Sequence, residues 1–495
     1  MTFRKSSVLG ILVSGWALCA TGCATTPSDA IASDAGRPNA TILSDPSPDT
    51  QLLTLSNGMR IVIQRREGND PGLGVVMGIA AGFIDEQRPG ERGLAHLIEH
   101  LAFRGSTNLP RGRFQELGYP ISVPELAVAS TVWDRTLYPL SSRASDLESP
   151  DTTLFLLREI ASELTFPDES IVEQKSAVMR EMADKAAGNR TYGEFVRAIA
   201  PGSPTDIIDR QNSDDVPAAS PAALRSLYED LYRPQSTVLV IVGAIDPGEA
   251  ERLVRSRFAD WTATVGASRD RSPVTVELDA IRPWSVQSNP EGWSGVLLSA
   301  TTEVVPAAPS QDAWFERQLM DRLMQQILLD ILQPAPDGGA SPPAHVVVSD
   351  GTLGFRQVML VAPSQSSDWR DALQRLTTAS CSLSASGPSD SEWERAKGLV
   401  LRTLRAEADA AKDLRNHDVA LRLVNASLSD TYTADPGIIL AAANEILPRL
   451  DPEAAMRWWQ DHWIGGRQHV RIELPETENV KSEIDQALSE AACAH

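Results

Sequence analysis

The chain has 495 residues, of which 42% are hydrophobic and 22% charged, and its formal net charge is -21 at pH 7. This composition is that of a soluble globular protein long enough to bury two substantial cores. Because nucleic-acid phosphates repel a surface of this sign, the charge argues against nucleic acid as a partner. No phosphate loop, dinucleotide fingerprint or nucleophile elbow stands out in the sequence.

The N-terminus has the pattern of a bacterial lipoprotein signal. Two basic residues precede an apolar run from Val8 to Ala20, which is short for a membrane span. We predict a signal peptide over residues 1–22 and a lipid anchor on Cys23. An ordinary cleaved signal remains the alternative, because Ala20 is a less usual residue than Leu at that position. No aspartate follows Cys23, which by resemblance to such signals predicts the outer membrane, facing the periplasm.

The next segment and the remaining cysteines give two further predictions. Residues 23–49 are rich in Ala, Ser, Thr, Pro and Asp without any apolar period, so we predict a flexible tether. Beyond it, Cys381 and Cys493 remain, and an oxidising compartment permits a disulfide between them. Because Cys493 is close to a chain end that we expect to fray, we predict two free thiols.

The most informative motif is His96-Leu97-Ile98-Glu99-His100. Residues four apart on a helix project in nearly the same direction, so His96 and His100 can bind one metal ion with Glu99 beside them. A catalytic zinc site needs such imidazoles, a third protein ligand and a nearby Glu that accepts the proton of a water. The order H-x-x-E-H is the inverzincin form of this motif. Chance alone produces it in roughly one such chain in a hundred.

The third ligand is predicted on a second helix. This helix opens with Pro and acidic residues from Phe166 onward and runs to Gly188. It carries two candidates, Glu173 and Glu181, which point about 80° apart and cannot serve one site equally. We favour Glu181 and keep Glu173 as the alternative.

An internal repeat supports Glu181. Further along the chain, the motif falls on Gln318 to Arg322, where the apolar positions match and the ligands are absent. At the same offset Glu181 falls on Thr403 without a gap. Later, Leu227 to Tyr232 resembles Trp458 to Trp463 at a slightly longer offset, and each leads into a strand. Three matches in order with nearly equal offsets indicate a duplicated domain.

The fold class follows from strand-like runs that alternate with long helical patterns. We predict an α+β protein of two homologous domains, each a mainly antiparallel sheet with helices on one face. The first domain is expected over residues 50–264, a linker over 265–280, and the repeat domain over 281–488.

Together these features resemble the pitrilysin, insulin-degrading-enzyme and mitochondrial-processing-peptidase family of zinc metallopeptidases, in its short two-domain bacterial type. The likeness covers residues 50–262 well, whereas the second half resembles the family's inactive repeat only diffusely. The segments that carry the likeness are Leu55 to Val62, Gly82 to Ser106, Thr131 to Tyr138, and Leu227 to Gly243.

The resemblance implies a role for each residue of the motif. His96, His100 and Glu181 would bind one Zn²⁺ per chain. Glu99 would activate the water that attacks a peptide bond. The chain would then be a zinc-dependent metalloendopeptidase.

Three departures from the family pattern bear on activity. The gap from His100 to Glu181 is a few residues longer than usual. Gln174 takes a position where many members carry a Glu that supports the ligands, and Val128 replaces the usual Asn of the substrate-binding strand. Because groups around the ligands tune metal affinity and orientation, we expect reduced rather than absent activity.

The resemblance also implies that two such chains enclose a chamber, of which this chain is one half. Peptides would bind there as an added strand at a sheet edge, and short or unfolded peptides would be favoured. The alternative is a non-catalytic peptide-binding or structural subunit that keeps a relic zinc site.

The partner subunit is predicted from residues that this chain lacks. In the family, the inactive repeat often supplies an Arg and a Tyr that grip the substrate backbone. The corresponding stretch, Asp330 to Val346, contains neither residue. We therefore predict a heterodimer with a related subunit that carries the pair but lacks H-x-x-E-H. A homodimer is the second choice.

Overall fold

The structure is a computed structural model that describes residues 49–110, 113–116, 129–141, 150–199, 213–263, 269, 277–289, 294–303, 310–332, 343–350, 355–365, 367–491 and 493. For residues 115–116, 184–196 and 199 it describes the backbone alone. The predicted signal peptide and tether, with Cys23, and the position of Val128 lie outside this part. Within it, no helix combines the length and apolar character needed to cross a bilayer.

The described strands form two sheets. The first contains β1 (Thr50–Thr54), β2 (Arg60–Arg65), β3 (Gly74–Ile79), β4 (Ser130–Thr131), β5 (Thr136–Pro139) and β6 (Thr237–Gly243). The second contains β7 (Trp284–Ser288), β8 (Gly295–Glu303), β9 (His345–Asp350), β10 (Phe355–Pro363) and β11 (Arg467–Leu474). Their orders are β1-β2-β6-β3-β5-β4 and β7-β11-β8-β10-β9.

The two sheets have the same design once β1 is set aside. Without β1, the two orders are β2-β6-β3-β5-β4 and β7-β11-β8-β10-β9. The first two strands of each order run parallel, β2 with β6 and β7 with β11. The other pairs are antiparallel. The shared order and directions confirm the predicted duplication and the mainly antiparallel α+β class.

Helices connect and cover these strands. Those of the first half are α1 (Leu94–Leu101), α2 (Arg113–Glu116), α3 (Pro150–Ser162), α4 (Asp168–Ile199), α5 (Pro221–Leu231) and α6 (Pro247–Phe258). Those of the second half are α7 (Gln311–Leu332), α8 (Trp369–Ser386), α9 (Asp390–Ala410), α10 (Asn416–Leu428), α11 (Pro436–Ile446), α12 (Pro452–Trp459) and α13 (Glu478–Ala491).

Helix starts repeat at the offsets seen in the sequence. Helices α4 and α9 both begin with Asp, at the offset that relates Glu181 to Thr403. Helices α5 and α12 both begin with Pro, at the slightly longer offset of the later match. Ser220 and Asp451 cap α5 and α12 by accepting a hydrogen bond from a backbone N–H three residues on. A polar cap followed by Pro is a strong local signal for a helix start.

Each half has a core between its sheet and its helices. In β3 the side chains alternate, so that Val75, Met77 and Ile79 point into the first core. That core also contains residues of α1, α3, α4, α5 and α6. The second core is formed by the second sheet with α7, α8, α9 and α13 among its helices.

The opposite face of the first sheet is covered by α10, which comes from the second half. Val419, Leu423 and Val424 of this helix pack against valines of β2, β3 and β6. Gly78 on β3 permits the close approach, because a Cβ there would lie 2.6 Å from the Val424 side chain. The first sheet therefore carries helices on both faces, and the prediction of one covered face is wrong for it.

Two of the segments that carry the family likeness contain turns. Leu55 lies in the turn before β2, and strand structure resumes only at Arg60. The segment Thr131 to Tyr138 is a hairpin of two short strands, since Val132 N–H bonds to the Arg135 oxygen across its turn at 2.9 Å.

Helix α4 is longer than predicted. It was expected to end at Gly188 but continues through that residue to Ile199. A single Gly costs a helix only about 1 kcal/mol, which a long helix tolerates.

Cys381 and Cys493 form a disulfide, with their Cα atoms 5.4 Å apart. The prediction of two free thiols is therefore wrong. Helix α13 packs into the second core through Val480 and Ile484, beside residues of α8 such as Leu376. This docking brings the chain end close to Cys381 and prevents the expected fraying.

Candidate metal centre

Helix α1 carries the H-x-x-E-H motif and is anchored by its apolar side. Leu94, Leu97 and Ile98 are completely buried in the first core. Helix α4 packs against α1. This packing places two helices of the first half side by side at the motif.

A carboxylate from an earlier loop caps the N-terminus of α1. Gly93 at the cap position has φ +85° and no side chain that could cap the helix. Instead, the Glu86 carboxylate accepts hydrogen bonds from the backbone N–H groups of Gly93 and Ala95, both at 2.8 Å. Burial raises the pKa of Glu86 to about 8, although these hydrogen bonds oppose the shift. Glu86 lies in the family-like segment Gly82 to Ser106, but no sequence pattern predicted its role as a cap.

His96, His100 and Glu181 form a cluster in which one nitrogen or oxygen atom from each lies within 4.8 Å of the others. Glu181 Oε2 is 3.2 Å from His100 Nε2, and Glu181 Oε1 is 3.7 Å from His96 Nε2. Two imidazoles and one carboxylate are a donor set that catalytic zinc sites use, so these residues fit zinc. Among the described residues no other group of this kind occurs.

The competing residue Glu173 lies elsewhere on α4. Its carboxylate is 3.6 Å from the Arg104 guanidinium, and it is not part of the cluster. Of the two candidates, the structure brings Glu181 to the histidines. Metal binding by the cluster stays a prediction.

Gln174 contacts one of the two histidines. It is buried on α4, and its side-chain oxygen lies 3.3 Å from His100 Nδ1. The oxygen can accept a hydrogen bond from Nδ1, which leaves Nε2 available for a metal. An amide orients the ring in this way but adds no negative charge.

Glu99 is held next to the cluster by the edge strand of the sheet. Its Oε2 atom lies 4.0 Å from His96 Nε2. The carboxylate accepts hydrogen bonds from the backbone N–H and the hydroxyl of Thr131 on β4. Burial raises the pKa of Glu99 above its ordinary value, while His100 and Thr131 lower it in part. A raised pKa is typical of carboxyl groups that exchange protons near neutral pH.

Two buried tyrosines lie close to Glu99. The hydroxyl groups of Tyr138 and Tyr232 are 2.5 Å apart. Burial raises the pKa of both phenols, and the charge of Glu99 adds to the increase. The hydroxyls therefore stay neutral, and no sequence pattern had singled out this pair.

The remaining described histidines have structural contacts of their own. His417 bonds to Ser141 at 2.9 Å, and His469 bonds to Ser285 at 2.9 Å. His462 packs edge-on against Trp458. Partial burial lowers the pKa of His462 to about 3, so it stays neutral near physiological pH.

Comparison with known proteins follows the same division of the chain. Residues 62–192 match the family model "Insulinase (Peptidase family M16)", and residues 218–400 match "Peptidase M16 inactive domain". The chain is 22% identical over 429 residues to the "Probable zinc protease PqqL" of Escherichia coli, covering 83% of this chain and 45% of that protein.

The chain is also similar to a mitochondrial protein and to a solved protease structure. The chain is 26% identical over 219 residues to the human "Cytochrome b-c1 complex subunit 1, mitochondrial", covering 43% of this chain and 44% of that protein. The crystal structure of the first half of the periplasmic protease PqqL from Escherichia coli superposes with a TM-score of 0.78 at 18% identity, covering 90% and 97% of the two chains.

The chain spans less than half the length of both curated relatives described here. Full-length PqqL superposes with the same TM-score of 0.78 over 50% of its chain. The family resemblance inferred from the sequence is confirmed, and this chain belongs to peptidase family M16.

Proposed function

We propose that this chain is a zinc-dependent endopeptidase in which His96, His100 and Glu181 bind the metal and Glu99 is the general base. The observation that carries the proposal is the meeting of these three side chains from two helices beside the partly buried Glu99 carboxylate. His96 is buried, His100 and Glu181 are partly buried, and two imidazoles with one carboxylate are a donor set that catalytic zinc sites use.

Three residues of the chain besides the metal ligands would take part in peptide hydrolysis. Zinc, when bound, supplies Lewis-acid polarisation of a peptide carbonyl and makes water more acidic. Glu99 accepts the proton of the attacking water and delivers it to the leaving amine. Thr131 keeps the Glu99 carboxylate in place, and Gln174 keeps the His100 ring in the tautomer that binds metal.

The proposed mode of peptide binding is based on strand β4 of the first sheet, and the proposed assembly is based on the comparisons. A peptide strand adds to the β4 edge, with a carbonyl directed to the metal. Similarity to one half of PqqL supports a chamber completed by a second, related unit. We propose a heterodimer whose partner carries the missing Arg and Tyr, with a homodimer as the second choice.

The location proposed is the cell envelope, with the chain lipid-anchored through Cys23 to the outer membrane and facing the periplasm. The apolar run before Cys23 supports this. The description of PqqL from Escherichia coli as a periplasmic protease supports the compartment. The disulfide between Cys381 and Cys493 also agrees with an oxidising environment.

A second candidate function is a non-catalytic peptide-binding or structural subunit with a relic metal site. Similarity to a cytochrome b-c1 complex subunit, a protein not named as a protease, favours it. So does the amide of Gln174 beside His100.

One experiment separates the two functions. Zinc content and cleavage of a quenched fluorescent peptide library are measured for the wild type and for Glu99→Gln, alone and mixed with a candidate sister subunit. If the chain is an enzyme, the wild type and Glu99→Gln should each carry one zinc per chain, and the variant should cleave peptides about 10²–10⁴-fold more slowly. Equal rates for the two proteins would refute Glu99 as the base. Absence of cleavage by the wild type in every mixture would favour the non-catalytic subunit.

A further inference from the structure

Helix α10 belongs to the second half of the chain, but the first half holds both of its ends. At its N-terminus the backbone N–H of Asn416 donates to the Asp70 carboxylate at 2.6 Å. At its C-terminus Arg60 donates to the carbonyl oxygen of Ser427 at 2.8 Å. An acid at the first end and a base at the second complement the helix dipole and satisfy groups without partners inside the helix. The position of α10 is thereby fixed relative to the first sheet.

A second arginine joins α10 to the hairpin of β4 and β5. The Arg135 side chain is buried and donates to the backbone oxygen of Asn425 at 3.1 Å and to its side-chain oxygen at 3.0 Å. It also donates to the Ser429 hydroxyl at 2.7 Å and to the Asp134 carboxylate at 2.6 Å. A planar guanidinium with this many acceptors has one orientation that satisfies them all. The hairpin turn is therefore tied to the C-terminal end of α10.

The same hairpin reaches the candidate metal centre. Strand β4 is the last strand of the first sheet among the described residues. Thr131 on β4 pairs with Thr136, the residue after Arg135, and also holds the Glu99 carboxylate. Arg135 is thus adjacent in sequence to Thr136, whose cross-strand partner Thr131 holds the proposed base.

We propose that Arg135 is a positioning residue through which α10 of the second half holds the β4–β5 hairpin, and with it Thr131 and the β4 edge, in the geometry that peptide hydrolysis requires. The proposal rests on the proposed function, since it gives the second half a part in the activity of the first. Loss of the tie leaves the metal-binding residues in place, because they lie on α1 and α4.

The first test measures the hairpin itself by hydrogen exchange in the full chain. Arg135→Gln is compared with the wild type and with Arg60→Gln. The second variant is a matched control, because Arg60 also donates to the C-terminal end of α10 but lies on β2, away from β4. Amides of residues 129–137 are expected to exchange roughly tenfold faster in Arg135→Gln, as for a locally opened segment, and at the wild-type rate in Arg60→Gln.

The second test measures activity and metal together. In Arg135→Gln, kcat/KM for a fluorescent peptide is expected to fall roughly 10–100-fold, the cost of a small misplacement, with unchanged zinc per chain. Arg60→Gln is expected to keep the wild-type kcat/KM. A purely structural role would affect both variants alike.

Several outcomes would overturn the proposal. Equal exchange in the two variants would do so, and so would faster exchange in Arg135→Gln without a fall in kcat/KM. If the wild type cleaves nothing, the proposed function fails, while the exchange comparison still decides whether α10 holds the hairpin. Should Arg135→Gln not fold, the double variant Asn425→Ala, Ser429→Ala removes side-chain acceptors from the other side and is interpreted in the same way.

Discussion

Helix α1 in the first half and helix α7 in the second take corresponding places in their cores, and the motif of the first aligns with Gln318 to Arg322 of the second in the internal repeat. In the first half the site gathers two histidines and Glu181. In the second half Thr403 replaces Glu181, and no histidine remains at the aligned positions. The two halves share a scaffold, but the predicted metal ligands occur only in the first.

The second half fills the same place with ion pairs. Asp321, which aligns with Glu99, pairs with Arg356 and accepts a hydrogen bond from the Trp458 indole at 2.8 Å. Arg356 also bonds to Asp350 at 2.8 Å. Arg322, which aligns with His100, lies 3.0 Å from the Glu407 carboxylate.

The comparison shows two ways of compensating a carboxylate buried in the same fold. The first half carries the proposed site for a divalent cation from solution, whereas the second half carries cations in its own arginines. A built-in guanidinium leaves no open position for chemistry. The corresponding place in the second half is therefore a structural support.

The largest expected effect is on metal binding in the first half. Glu181→Ala should lose essentially all bound zinc, because even groups that only support a ligand contribute about 10–100-fold to affinity. Glu173→Ala is the control on the same helix and should retain one zinc per chain. Zinc content measured by atomic emission distinguishes them, and full zinc in Glu181→Ala would remove this residue from the site.

The corresponding change in the second half should affect stability rather than metal content. Arg356→Met leaves Asp321 and Asp350 without their shared cation, at a cost of about 3–5 kcal/mol in the free energy of unfolding. The control is Arg322→Gln, whose ion pair is partly exposed and is worth at most about 1 kcal/mol. Urea unfolding measures both. Equal destabilisation by the two variants would contradict the role assigned to Arg356.

The cap of α1 predicts a pH dependence. The folded pKa of Glu86, about 8, exceeds the ordinary value of 4.5, so the folded state binds the proton more tightly. Stability should therefore fall as pH rises from 4.5 to 8, by on the order of a few kcal/mol. Glu86→Gln should reduce this slope in urea unfolding at pH 5 and pH 8, whereas the exposed Glu67→Gln should retain it in full. A variant with the full wild-type slope would exclude Glu86 as its cause.

The smallest effect concerns the amide beside His100. Gln174→Glu adds a negative charge to the group that bonds to Nδ1 and should raise zinc affinity by up to about tenfold, the lower range for such supporting residues. Gln174→Ala should reduce it. Competition with a chromophoric chelator measures both. An unchanged affinity in both variants would show that Gln174 is only a packing residue.

The sequence predicted those features that depend on local spacing or on the repeat. The i,i+4 pair of histidines and the repeat offset predict the three residues that the structure brings together. The cap by Glu86 was not recognised, because a carboxylate well before Gly93 in the chain has no periodic pattern.

Features that depend on distant packing could not be predicted from spacing. The disulfide joins residues 112 positions apart, and it depends on how α13 docks. Only the structure shows that the apolar residues of helix α10 cover a sheet from the other half of the chain. The bond between Asn416 and Asp70 spans 346 positions. Contacts at such separations are set by the tertiary fold rather than by local propensity.

The shared helix α10 also bears on whether the first half could exist alone. A chain cut after α6 would leave the valines of the first sheet facing water, an aggregation-prone product. The second half can therefore be required for the solubility of the first whether or not it binds metal, as a cover supplied within the same chain.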